Sequence, residues 1–211
     1  MTSPNPKNNS VVVGKLLNDH IVPVVTLPEP LLSGLIIRGS CVLSTPTALG
    51  YLFSIPVEEL LISSPFAEEH GLLIYADAIR RLAKRHVYLK CLIREYHTNP
   101  QTQKAVRRLR DLYCSWGDSN RFQVREYHIQ LNDISNTLPS TDDKLHYEST
   151  HAKLIIADNK ACYIGSAELR MNSLFANFET GVIIQGQLVG VFREVFYHVW
   201  KASKVVYTSS N

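Results

Sequence analysis

The chain has 211 residues, 45% of them hydrophobic and 19% charged, which fits one globular domain with a sizeable core, with or without an extension. No uncharged apolar run reaches the roughly 18 residues that a membrane helix needs, since the longest, 31–43, is broken by Arg38. The net charge is only +3, yet residues 80–125 carry twelve Lys or Arg against three acids, a local balance of +9 that leaves the remainder acidic and points to a polyanionic partner, either nucleic acid or an anionic membrane surface.

The first ten residues, MTSPNPKNNS, are polar and hold two prolines. They do not resemble a signal peptide, so a mobile tail and a cytoplasmic location are expected. Residues 11–45 are apolar but interrupted by Pro23, Pro28, Pro30, Gly34 and Gly39, the pattern of short strands and turns. Residues 1–44 are taken as an N-terminal extension of unknown role and 45–211 as a single domain. A helix is expected from Thr45-Pro46-Thr47 to about Ser54, then a buried strand from Glu59 that ends in Ser63-Ser64-Pro65. Helical spacing covers 68–85, a second buried strand 87–93, and another helix 102–116, with Gly117 as its stop. A strand over 122–127 leads to a polar, turn-rich stretch, 132–150, expected to be a long functional loop. Residues 151–157 and 161–164 form a hairpin around Asp158-Asn159-Lys160, followed by a strand over 179–184 and a helix over 189–201. Helices alternate with strands first and strands pair later, so the class is α/β with a mixed β-sheet. The four cysteines, Cys41, Cys91, Cys114 and Cys162, show no C-x-x-C spacing and are expected to be structural thiols rather than metal ligands or disulfides.

The chemistry concentrates in His151-Ala152-Lys153, four residues, Asp158, six residues, Gly165-Ser166. On a strand, residues two apart project to the same side, so His151 and Lys153 are expected to point together while Ala152, Leu154 and Ile156 face away. Imidazole can attack phosphorus or move a proton, and an adjacent ammonium supplies fixed positive charge for phosphate oxygens. Ser166, after a glycine that permits close backbone approach, adds a hydroxyl and an N–H. A lone His-x-Lys is usually a rim pair. Five residues fixed within a 16-residue window are another matter, a pattern expected by chance on the order of once in 10⁴ chains of this length.

HAKLIIADNKACYIGSAE resembles the HKD motif of the phospholipase D superfamily, H-x-K-x4-D-x6-G-S-x-N. The resemblance spans roughly residues 45–202 and includes LLISSPF and the strand VYLKCLIR upstream. It implies a mixed sheet flanked by helices on both faces, and a metal-independent phosphodiesterase needing no cofactor. His151 would be the nucleophile and form a phosphohistidine, Lys153 would clamp phosphate, Asp158 would position the motif, Ser166 would join the site, and Glu179 would orient the histidine. The family's active site holds two motifs and this chain has one, so a two-fold homodimer is implied, with both His151 side chains facing across the axis. One departure is visible: Glu168 stands where the family has a phosphate-binding asparagine. Either it points away, toward a basic neighbour such as Arg170, or Asn172 takes over the role.

Single-motif members are typically nucleases, and the basic stretch fits a DNA backbone. Arg80, Arg81, Lys84 and Arg85 lie on one expected helix and Lys104, Arg107, Arg108 and Arg110 on the next, with Arg94 at the end of the strand between them. Tyr96, His97 and Tyr127 are candidates to stack on bases. DNA cleavage is therefore the leading expectation. A lipid phosphodiesterase or phosphatidyltransferase, a nuclease subunit working with a helicase or defence-system proteins, and a non-catalytic nucleic-acid-binding module are the alternatives.

Overall fold

The structure, a computed structural model, describes residues 19–28, 31, 42–130 and 147–207. Its framework, among the described residues, is a nine-stranded mixed sheet. The parallel part is β3 (Glu59–Ser63), β4 (Tyr88–Ile93) and β5 (Phe122–Glu126). The antiparallel part is β8 (Leu154–Ala157), β9 (Ala161–Gly165), β10 (Glu179–Gln185) and β1 (His20–Thr26), with β2 (Leu43–Ser44) alongside β1. The two parts meet where β3 pairs with β8, Ser63 opposite Leu154 and Leu60 opposite Ala157.

The seam strands are covered on both faces, which is why they read as continuous apolar runs. One face carries α1 (Thr45–Ser54), α2 (Glu69–Leu73), α3 (Ala76–Lys84) and α4 (Pro100–Cys114) over a core that includes Leu60, Ile62, Leu89 and Ile155. The other carries α6 (Leu188–Ala202), whose Val189, Phe196 and Trp200 pack on Leu61, Leu92, Leu154 and Ile156. The expected α/β fold, with helices on both faces of a mixed sheet, is the one observed. Among the described residues no helix is long and apolar enough to cross a membrane.

Several expectations change. The single helix over 68–85 is two, because Tyr75 leaves helical geometry and turns its ring into the core against Phe53, centroids 4.8 Å apart. The helix expected at 102 begins at Pro100, since Asn99 caps the N–H groups of Gln101 and Thr102 and proline suits the first turn. The loop expected over 132–150 holds a strand near its end, β7 (Tyr147–Ser149), which pairs with β6 (His128–Gln130) just before the loop; 131–146 lie outside the described residues. A short helix, α5 (Met171–Phe175), and the terminal strand β11 (Lys204–Tyr207), antiparallel to β5, add to the expected elements. Cys91 and Cys162 are buried, and burial pushes both thiols up to about 12. Cys41 lies outside the described residues.

Candidate active site

His151, Ala152 and Lys153 precede β8 rather than belonging to it, so the expected strand placement of the pair does not hold. Backbone bonds from Thr150 N–H to the Tyr127 carbonyl (3.0 Å) and from Gly165 N–H to the Lys153 carbonyl (3.3 Å) hold this leader. Ser63, at the end of β3, donates to the Ala152 carbonyl and meets the Thr150 hydroxyl, both at 3.0 Å. The two side chains still converge. The Lys153 ammonium lies 3.4 Å and 3.5 Å from the ring nitrogens of His151 and donates to that residue's carbonyl at 3.2 Å. His151 is exposed, whereas the Lys153 side chain is 13% exposed. Leu154 and Ile156 face the α6 core as expected; Ala152 is exposed.

Asp158 lies at the other end of the hairpin, in the left-handed turn at φ 53°, a conformation that aspartate tolerates better than most residues. Its carboxylate accepts from the N–H groups of Val57, Glu58 and Glu59 at 2.9–3.0 Å and pairs with Lys160 at 3.1 Å. Burial opposes its charge, but these three N–H groups and Lys160 more than offset that and hold the carboxyl below its usual range. Asp158 thus ties the hairpin to the start of β3, one strand length, roughly 13 Å, from the His151 end.

Ser166 and Glu179 meet across β9 and β10. The Ser166 hydroxyl donates to the Glu179 carboxylate in a short bond, and accepts from Thr180 N–H at 3.1 Å. Asn177 donates to the other Glu179 oxygen at 3.2 Å. Among the described residues Glu179 makes no hydrogen bond to His151 of the same chain, so the expected orienting contact is not made within one protomer. Opposed glycines let the strands close here. A Cβ on Gly165 would stand 2.2 Å from the Tyr163 hydroxyl, and one on Gly181 2.6 Å from the Tyr163 ring.

Glu168 does not point away from the site. It reaches Lys153 at 3.3 Å as well as Arg170 at 3.8 Å, and is buried. Asn172 on α5 is exposed and makes no side-chain hydrogen bond among the described residues. Arg170 in turn pairs with Glu68 at 2.9 Å and lies 5.9 Å from the Phe66 ring, the ring on which Arg94 stacks at 4.1 Å. Arg94, which also pairs with Glu95 at 3.3 Å, is therefore linked to Lys153 through Phe66, Arg170 and Glu168. Sequence reasoning missed Phe66; the SSPF that ends the β3 run was its only signal.

The rest of the basic stretch disperses. Lys84 closes α3 at the Asp158 end of the sheet, where it covers Trp116 at 4.4 Å, and Arg80 pairs with Asp77 at 2.7 Å. Arg81 is exposed. On α4, Lys104 and Arg108 face Glu69 at 2.7 Å and 3.8 Å, Arg107 donates to Gln103, and Arg110 pairs with Asp111. Of the aromatic candidates, Tyr127 donates to Glu148, while Tyr96 and His97 gather around Glu126. A cavity of about 470 Å³ also lies away from His151, beside Glu59, Lys90, Arg121, Arg193 and Tyr197.

The His151–Lys153 pair leads into β8 and Ser166 follows β9 at the same end of the two-faced mixed sheet, and the chain belongs to the phospholipase D superfamily. Residues 57–200 match the family model described as cardiolipin synthase, PLD-like domain. Among solved structures, Nuc, a phospholipase D family member from Salmonella typhimurium, is similar at 17% identity and TM-score 0.59 over 90% of this chain and 99% of that one. NucT from Helicobacter pylori is similar at 17% and 0.61, over 89% and 99%. The phosphatidylserine synthase of Haemophilus influenzae is similar at 14% and 0.56, over 92% of this chain but 42% of its own length. At such identities the likeness concerns the fold. No curated protein matches the sequence significantly.

Proposed function

We propose that the protein is a metal-independent nuclease that cleaves DNA phosphodiester bonds in a composite site built from two copies of the chain. The observation that carries this is the exposed His151 ring with the Lys153 ammonium 3.4 Å from it, at a sheet end where Ser166 and Glu179 are already fixed. A ring nitrogen of His151 attacks phosphorus, forming a P–N bond as the P–O bond to the leaving group breaks. His151 of the partner subunit protonates that leaving oxygen, then takes a proton from the water that cleaves the phosphohistidine. Lys153 holds the non-bridging oxygens through both steps.

Two further observations favour this build. The chain spans 99% of the length of Nuc and of NucT but 42% of the phosphatidylserine synthase, so in extent it is similar to the former two. A Glu179 engaged by Ser166 and Asn177 but not by its own His151 is also consistent with an orienting acid that acts across a dimer axis. One feature favours the lipid phosphodiesterase reading: Met171, Phe175 and Phe178, near Glu179 in sequence, are 40%, 49% and 71% exposed and would suit an apolar substrate.

The test is cleavage of single- and double-stranded DNA in excess EDTA by wild type and His151→Ala, with phosphatidylcholine–phosphatidylglycerol vesicles assayed in parallel. DNA cleavage by wild type alone supports the proposal, and headgroup release without DNA cleavage supports the lipid reading. A strict monomer by light scattering at every active concentration contradicts the composite site.

A further inference from the structure

The residue that departs from the family motif, Glu168, is held in place by its neighbours. Glu168 lies between Ala167 and Leu169, which are buried at 4% and 2% exposure. Leu169 donates to Ser64 at 3.5 Å, and its carbonyl accepts from Glu68 N–H at 3.0 Å. Gly71 packs so closely on that carbonyl that a Cβ there would come within 2.3 Å of it. Ala167 N–H donates to the Tyr163 hydroxyl at 3.2 Å on the other side, so the backbone is held at both neighbours and the largely buried carboxylate lies among the cations it reaches, Lys153 at 3.3 Å and Arg170 at 3.8 Å.

We infer that Glu168 sets the anion specificity of this site: it is a resident carboxylate that competes for Lys153, moves onto Arg170 when a phosphodiester monoanion binds, and rejects phosphomonoester dianions. This rests on reading the site as one for phosphodiesters. The empty site then carries its own counter-ion, and an entering phosphate takes the Lys153 ammonium only as Glu168 yields it. Arg170 is the receiving partner. A shift of roughly 1 Å would bring the 3.8 Å contact to the 2.7–2.9 Å of a charge-assisted hydrogen bond. Arg170 is held ready by Glu68 at 2.9 Å and by the Phe66 face. The carboxylate remains within a few ångströms of bound phosphate and repels it in proportion to the ligand's charge. A dianion therefore suffers twice the repulsion of a diester, and the logarithm of its affinity doubles the effect. Glu168 is thus a specificity-determining residue that touches no reacting bond.

The test is calorimetric titration of the full chain at pH 8 with dimethyl phosphate, a monoanion, and methyl phosphate, a dianion because the second pKa of a monoester is about 6. Neutralising a charge at this range is expected to tighten dimethyl phosphate on the order of tenfold and methyl phosphate on the order of a hundredfold in Glu168→Gln. Lys153→Ala in the same background should abolish most of both gains. Arg170→Ala should weaken dimethyl phosphate about fivefold in the presence of Glu168 and leave it unchanged in Glu168→Gln, a coupling that simple loss of packing would not produce. Glu168→Asn, checked for folding by circular dichroism, serves if the glutamine variant does not fold. Unchanged or weaker binding in both variants, or equal gains for the two ligands, overturns the inference. These titrations need no turnover. A chain that cuts no DNA yet shows the unequal gains upholds this inference while the nuclease reading falls. A chain that cuts DNA through His151 but titrates alike with and without Glu168 overturns this one alone.

Discussion

Two lysine–glutamate pairs, Lys90–Glu59 at 3.2 Å and Lys153–Glu168 at 3.3 Å, lie toward opposite ends of the β3–β8 seam and differ in almost everything but distance. Glu59 is enclosed: Arg193 donates to it at 2.6 Å, Tyr197 in a shorter bond, and Lys90 also donates to the Tyr197 hydroxyl at 2.6 Å. Burial opposes the Glu59 charge, yet these partners more than offset it and hold the carboxyl low. Lys90 and Arg193, which line the adjoining cavity, both already face the Glu59 carboxylate. At the other end Lys153 shares itself among Glu168, a backbone carbonyl and an exposed imidazole, a set that an incoming phosphate can replace. The two ion pairs share a distance and differ in how completely their partners enclose them.

Four substitution sets would break or sharpen that contrast. The largest effect is expected from His151→Ala: DNA cleavage should fall by about 10⁴-fold, roughly 5.5 kcal/mol of barrier, while the melting temperature stays within about 1 °C, as initial rates and calorimetry would show. Next comes Asp158→Ala, which strands three N–H groups and places alanine at φ 53°. It should cost about 3–5 kcal/mol in urea unfolding. Glu59→Gln should cost about 3 kcal/mol, a fall in melting temperature of about 10 °C, against at most about 1 kcal/mol for Glu168→Gln. The smallest effect separates the arginines: Arg94→Ala should raise KM for DNA about fivefold and Lys84→Ala less than twofold, because only Arg94 adjoins the His151 end.

The same contrast has a pH signature. Asp158 and Glu59 both have folded pKa values below their usual 3.8 and 4.5. Their contribution to stability is therefore complete above the unfolded values and lost as pH falls through the folded ones. Melting temperature should hold from pH 7 to about 5 and drop below about 4, and Asp158→Asn and Glu59→Gln should each flatten the drop. A wild-type curve that begins to fall near pH 6 would contradict this assignment.

The motif, its hairpin and the two-faced sheet were legible because each rests on short-range pattern: residue spacing, turn composition and apolar runs. What was not legible depended on register. Glu59 meets Lys90 only because parallel β3 and β4 place Leu61 opposite Lys90, and Asp158 reaches Glu59 N–H across 99 positions. Tyr75 broke an apparently continuous helix because the Phe53 ring was there to stack on, a tertiary preference that no window around 68–85 contains. Glu168 was visible as a departure from the motif, but its partner was not: the basic residue nearest in sequence, Arg170, is the more distant of the two at 3.8 Å, and Lys153 the nearer at 3.3 Å.

The central claim, that His151 is the nucleophile, is tested most directly by trapping the covalent intermediate: mixing the protein with a short DNA oligonucleotide, quenching in alkali within milliseconds, and mapping peptides by mass spectrometry. A nucleotidyl or phosphoryl adduct on the peptide holding His151, absent from His151→Ala, is the expected result. Turnover without any adduct, or an adduct on another residue, would contradict it.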